Sequence, residues 1–168
     1  MNDVLYTPWR MAYLTGGSAP AGSSGCLFCD LAGLGDAEAL IVERGRHAFA
    51  VLNRFPYSNG HVMVAPYAHH ANLRELTADE RGELLEVAAR LESALASEYA
   101  PHGFNAGLNL GRCAGAGVPG HLHLHLVPRW DGDTSFMTVV SGTRVVPEDL
   151  GVTYRRLRAR LGTPEGAP

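Results

Sequence analysis

Apolar residues recur with two different periods along the chain, and the change from one to the other marks out its elements. "ALIVE" (39–43) and "AFAVLN" (48–53) read as strands, and "HVMVAP" (61–66) as a third after the turn-rich "RFPYSNG", whose bend falls at Asn59-Gly60. These three are expected to form an antiparallel meander. At Thr77 the period lengthens: Thr77 and Glu80 make a capping box, and Leu84, Val87, Ala88, Leu91 and Leu95 recur at helical spacing until Pro101 and Gly103 stop the run. A helix over about residues 78–99 should therefore cover one face of the sheet. "FNAGLNL" and "HLHLHLVP" add two strands joined by the glycine-rich "GRCAGAGVPG", and "SFMTVV" reads as a sixth. Leu150, Tyr154, Leu157 and Leu161 then suit a short amphipathic C-terminal helix. At the other end, Thr7-Pro8 caps a short helix in "PWRMAYL", which Gly16-Gly17 ends. The pattern predicts an α+β domain over residues 26–160, with an antiparallel sheet of five to six strands and a long helix packed on it. Residues 1–25 form a short helix and flexible linker, and residues 161–168 a disordered tail.

"HLHLHLV" departs from an ordinary half-buried strand. Period two sends Leu122, Leu124 and Leu126 to one face and His121, His123 and His125 to the other. A strand needing only a polar face would be served by Thr, Lys or Glu, whereas imidazole acts near neutral pH as base, nucleophile or metal ligand. The preceding loop contains Gly115 and Gly117, and successive backbone N–H groups in such a loop can converge on an anion. Glycines alone mark a turn more often than an anion nest; the adjoining histidines favour the nest.

Composition narrows the classes. The 168 residues, 46% apolar, suffice for one well-buried core. A formal charge of −3 and a pI near 6.2 argue against a broad cationic surface for nucleic acid or anionic membrane, although a nucleotide needs only a local anion site. No apolar run approaches the roughly 18 residues that span a bilayer, and the N-terminus lacks a secretory pattern. A cytoplasmic location is expected. Cys26 and Cys29, in "CLFC", have the gap that lets two thiolates meet one ion, whereas Cys113 stands alone in the glycine loop. Redox chemistry is the rival use of such a pair, but no βαβ pattern surrounds it.

With these residues in view, "HLHLHLV", "AFAVLNRFPYSNGHVMVAPYAHHANL", the helix that follows and "FNAGLNLG" resemble the histidine triad (HIT) family, and the start "YTPWRMAYL" and the late "VPRWDGDTSFMTVVSGTRVVP" resemble its bacterial diadenosine tetraphosphate phosphorylase-like branch. The resemblance implies a HIT-like α+β fold, a nucleotide substrate, a homodimer and a two-step displacement at the α-phosphate. By position, His123 resembles the nucleophile that forms a nucleotidyl-histidine intermediate, and His125 the residue that contacts phosphate oxygens. Asn53 resembles a ribose-binding residue, Asn109 one near the phosphates, and His61 a supporting histidine behind the active site. A carbonyl of the neighbouring strand is expected to fix the tautomer of His123. The resemblance also implies a structural zinc held by Cys26, Cys29, His69 and His121, with His70 as the rival to His69. One departure bears on substrate and acceptor: many members carry Gly-Gln-Ser or Gly-Gln-Thr before the first histidine, where this chain has Ala114-Gly115-Ala116-Gly117-Val118-Pro119. Three other readings stay open. They are a phosphoramidate hydrolase of the same family, a nucleotide-binding module without catalysis, and a metal-dependent enzyme whose strand histidines hold a catalytic ion.

Overall fold

The computed structural model describes residues 25–133 and 148–162. The expected N-terminal helix, the sixth strand "SFMTVV" and residues 163–168 of the expected tail lie outside the described residues, whereas Leu161, placed at the start of that tail, ends the C-terminal helix. Five strands form one antiparallel sheet: β1 (Ile41–Arg44), β2 (Ala48–Leu52), β3 (Val62–Pro66), β4 (Gly103–Leu108) and β5 (Leu124–Arg129). Their spatial order is β1-β2-β3-β5-β4, with the predicted meander on one side and the β4–β5 pair on the other. Two short helices precede the sheet, α1 (Leu27–Ala32) and α2 (Asp36–Ala39), while α3 (Ala78–Tyr99) connects β3 to β4 and α4 (Leu150–Leu161) follows β5. Among the described residues, no helix is long and apolar enough to cross a membrane.

The long helix forms where its pattern placed it. Thr77 accepts a hydrogen bond from the Glu80 N–H, the Glu80 carboxylate accepts from the Thr77 N–H, and the buried positions are Leu84, Val87, Leu91, Ala94 and Leu95. Helix α4 starts at Asp149, whose carboxylate accepts from the Gly151 N–H, and buries Leu157 against the same core.

Period two divides the strands between two cores. Ala48, Ala50, Leu52, Val62 and Val64 face α3, whereas Phe49, Val51, Met63 and Ala65 face α1. Both faces are covered, which is why "AFAVL" and "VMVAP" are continuously apolar rather than alternating. The β2–β3 loop closes at Gly60, whose φ of +74° suits glycine; a Cβ there would lie 2.8 Å from Leu95 Cδ2 of α3. Helix α3 also fixes the β1–β2 turn, because the Glu83 carboxylate accepts from the backbone N–H groups of Arg46 and His47 at 2.6 and 2.5 Å.

Candidate functional site: a histidine relay beside a Cys/His cluster

The three leucines Leu122, Leu124 and Leu126 all enter the α3-side core, as the alternation predicts. The histidines go the other way, but the hydrogen-bonded strand is shorter than "HLHLHLVP": β5 starts at Leu124, so His121 and His123 precede it. The cause lies in the backbone partners. Leu122 N–H donates to the carbonyl of His70 at 2.7 Å and His121 N–H to that of Val118, so this segment joins its neighbouring loops instead of the sheet ladder.

That bend decides the histidine tautomers. His123 Nδ1 lies 2.9 Å from the carbonyl oxygen of His121, two residues back, and not of a neighbouring strand as expected from sequence. A carbonyl only accepts, so Nδ1 carries the proton and Nε2 keeps the lone pair. His121 has the opposite arrangement: its Nε2 donates to the Pro66 carbonyl at 2.9 Å, leaving the Nδ1 lone pair 3.2 Å from Cys26 Sγ and 3.6 Å from Cys29 Sγ. Burial pushes both imidazoles below their ordinary pKa, against the opposing hydrogen bonds to carbonyls, which favours the neutral form of each.

His125 is set by a relay. The Tyr57 N–H donates to His61 Nδ1 at 3.1 Å, so His61 carries its proton on Nε2 and donates it to His125 Nδ1 at 2.9 Å. His125 therefore bears its own proton on Nε2, a donor where His123 offers a lone pair. The two rings meet edge to face with centroids 4.9 Å apart. Asn53 Oδ1 accepts from the Phe55 N–H, and its Nδ2 lies 3.2 Å from His61 Nδ1. Asn53 thus stabilises its own turn and touches the relay.

A pocket opens over these groups. His123 and His125 line it together with Asn53, Arg54, Gly115 and Gly117, and Leu27, Phe28, Leu31, Val51 and Met63 give it an apolar wall. Phe28, Tyr57 and Arg54 were not picked out by sequence reasoning. The signal for Phe28 was its place inside Cys-x-x-Cys, and for Tyr57 its closeness to His61. The glycine loop differs from the expected nest: the amides of Ala114, Gly115 and Ala116 donate to the loop's own carbonyls at Gly111 and Arg112. Asn109 is half-buried and absent from the pocket lining; it lies one residue past Leu108, which pairs with Leu124.

Cys26, Cys29, His69 and His121 offer four donor atoms within 4.8 Å of one another, and His70 is not among them. His69 Nδ1 stands 3.3 Å from Cys29 Sγ. Separations of 3.2 to 3.6 Å match the edge of about 3.5 Å that a tetrahedron with Zn–S near 2.3 Å and Zn–N near 2.0 Å requires. A donor set of two sulfurs and two nitrogens fits zinc. His123 and His125 stay out of the cluster, so the triad does not converge on one ion.

Fold and site together define an antiparallel α+β domain with a strand-end histidine triad abutting a Cys₂His₂ cluster. The HIT domain matches residues 35–132, more than half of the chain, which thus belongs to the HIT domain family. The chain is 42% identical over 160 residues to the AP-4-A phosphorylase of Mycobacterium tuberculosis, covering 91% of this chain and 81% of that protein. A Zn-bound histidine triad family protein from Mycobacterium smegmatis superposes with a TM-score of 0.68 at 31% identity, covering 84% of this chain and 96% of that one. A hypothetical histidine triad nucleotide-binding protein from Sulfolobus tokodaii gives 0.67 at 27% identity, covering 82% and 92%.

Proposed function

We propose that this protein cleaves dinucleoside polyphosphates at the α-phosphate through a covalent nucleotidyl-His123 intermediate. The observation that carries this reading is the paired tautomer state: a neutral ring with a lone pair on Nε2 beside a second ring with a proton on Nε2. His123 Nε2 attacks the α-phosphorus, a P–N bond forms, and the P–O bond to the bridging oxygen breaks with its electron pair leaving on the polyphosphate. His125 donates from Nε2 to the phosphate oxygens where negative charge builds up. An acceptor then attacks the same phosphorus and returns the electron pair to His123. Phosphate as acceptor converts diadenosine tetraphosphate into ADP and ATP, and water gives AMP and ATP.

The apolar wall of Leu27, Phe28, Leu31 and Val51 suits a nucleobase, Asn53 at its edge suits the ribose, and Gly115 and Gly117 let backbone come close to the phosphates. Asn109 would follow across the strand pair from His123. The similarity to the phosphorylase supports phosphate as acceptor. Cys26, Cys29, His69 and His121 are assigned a structural zinc: with four protein donors the shell is full, and the metal supplies cohesion, not a reacting water. A homodimer fits the exposed residues Asn105, Ala106 and Gly107 on the edge strand β4.

The test is to incubate protein with labelled diadenosine tetraphosphate, with and without phosphate, and to quench in acid-free denaturant. The expected result is ADP that appears only with phosphate and label retained by wild type but not by His123→Ala. Turnover without any retained label in single-turnover samples would refute the intermediate, and AMP regardless of phosphate would make the enzyme a hydrolase.

A further inference from the structure

Phe28 sits between the two cysteines of the Cys/His cluster, and its ring packs on two histidines at once. Its centroid is 5.2 Å from that of His121 and 4.7 Å from that of His123. It is fully buried and also forms part of the pocket wall. We propose that Phe28 is a positioning residue for His123, and that the metal cluster sets the orientation of the His123 ring through it.

The six residues of α1 are too few for a helix to persist unaided, and its N-cap, Cys26, makes no side-chain capping bond. Among the described residues it is held by the Arg44 guanidinium on the carbonyls of Ala32, its last residue, and of Leu34 just beyond, by the burial of Phe28 and Leu31, and by the Cys/His cluster. Two of these reach the catalytic segment: the cluster, because His121 belongs to both, and Phe28, through its ring contacts with His121 and His123. The χ2 torsion of a histidine is broad, so one hydrogen bond from Nδ1 to the His121 carbonyl leaves the ring room to swing. Phe28, inclined 32° to that ring at 4.7 Å, and His125, edge to face with it at 4.9 Å, both pack against it and limit the swing. Metal at the cluster therefore fixes two things about His123: the carbonyl that sets its tautomer, through His121, and the face that stops its rotation, through Phe28. The catalytic half of this inference rests on His123 being the nucleophile; the structural half does not.

The experiment uses Phe28→Leu, which keeps all four donors, with ¹⁵N-labelled histidine in the ligand-free, metal-loaded protein. The expected metal content is unchanged at about one ion per chain. The His123 ring nitrogens, a single Nδ1–H species in wild type, are expected to become a tautomer mixture. Adduct formation at saturating nucleotide should fall about tenfold or more, as expected for a misplaced reacting group. Chelated wild type should show the same change at His123. Should Phe28→Leu fail to fold, Phe28→Met is read in the same way. Unchanged His123 resonances in the variant overturn the proposal, whatever happens to the rate, because a lost pocket contact would slow turnover too. Altered resonances with an unaltered rate overturn it as well, and a His123 ring indifferent to chelation overturns the part assigned to the metal. If wild type itself forms no adduct, the functional reading has failed, and the ring spectra alone then decide whether Phe28 positions His123.

Discussion

Among the described residues, sixteen buried residues from four strands, α3, α4 and their connections make a continuous aliphatic core on the α3 side of the sheet. On the α1 side the described cluster is nine, including Cys26, Phe28, Ala39 and Met63, and helix α1 over it has only six residues. The larger core persists through area removed from water, and its helix brings its own capping box and periodic stripe. The smaller one cannot rely on area. It is tied by point contacts: two sulfurs and two imidazoles gathered within 4.8 Å of one another, a guanidinium on helix-end carbonyls, and a chain of ring hydrogen bonds. Apolar packing tolerates small displacements, whereas a tautomer relay requires fixed directions. The chemistry is placed on the face where directions are fixed, and most of the stability on the other.

The sharpest way to break that division is at His123. His123→Ala is expected to lower turnover by about a thousandfold or more, as removal of a nucleophile does, with little change in the denaturant midpoint. An equal loss of stability and activity would mean that the two faces are not separable. The converse substitution is Leu91→Ala, at a fully buried position of α3. It should destabilise the fold by about 2–5 kcal/mol, the range for deleting a buried leucine side chain, while activity per folded molecule is retained. Urea unfolding followed alongside nucleotide cleavage checks both.

The third prediction concerns the metal. Chelation, or Cys29→Ser, should lower the melting temperature in proportion to metal binding; at a hundredfold excess over Kd, a site-specific ligand adds about 2.7 kcal/mol. The division predicts where that loss appears. Amides of α1 and the His69–His70 loop should lose hydrogen-exchange protection first, with those of α3 unaffected. Uniform loss across both faces would show that the small core supports the large one.

How much could be read from the chain follows the same line. The α3-side core was legible because area is encoded by periodicity: the leucines of the triad, the meander and the helix from residue 78 stand where their spacing put them. The α1 side was legible only where a motif named it. Cys-x-x-Cys with the resemblance gave the four donors, and the geometry brings them together. Helices α1 and α2 were not foreseen, since four and six residues carry too little periodic signal. The tautomer acceptor of His123 was misplaced because side-chain alternation continues through residues 121–123 although the ladder does not, and alternation was the only evidence available. The inward-turned amides of the glycine loop were invisible for a related reason: glycine content shows that a turn is allowed, not which way its N–H groups point.

Smaller effects refine the comparison on the helix side. Thr77→Ala removes the cap of α3 and should destabilise the fold by about 1 kcal/mol, leaving metal affinity untouched. Titrating a chelator against the variant and wild type tests this; a shared shift in metal affinity would link the faces after all.

The smallest expected effect is an alkaline one, at the C-terminal end of α3. Tyr99 donates to the Glu148 carboxylate at 2.5 Å, which also accepts from Thr153 Oγ1 at 2.8 Å, with Arg156 3.3 Å from its other oxygen. Burial first, and the hydrogen-bonded carboxylate second, push the phenol up from about 10 to about 12. A raised pKa means that the folded state holds the proton more tightly than the unfolded chain. The contribution to stability is thus complete below pH 10, declines as the unfolded phenol ionises, and is gone once the pH passes about 12. Tyr99→Phe should therefore lose this modest contribution in full at neutral pH, and flatten the loss of stability between these values relative to wild type. Because Tyr99, Glu148 and Thr153 all lie at the α3–α4 end of the fold, a change here is a property of the α3 face. Unfolding midpoints of both proteins across the alkaline range would decide it, and superimposable curves would show that the phenol's ionisation is not coupled to the fold.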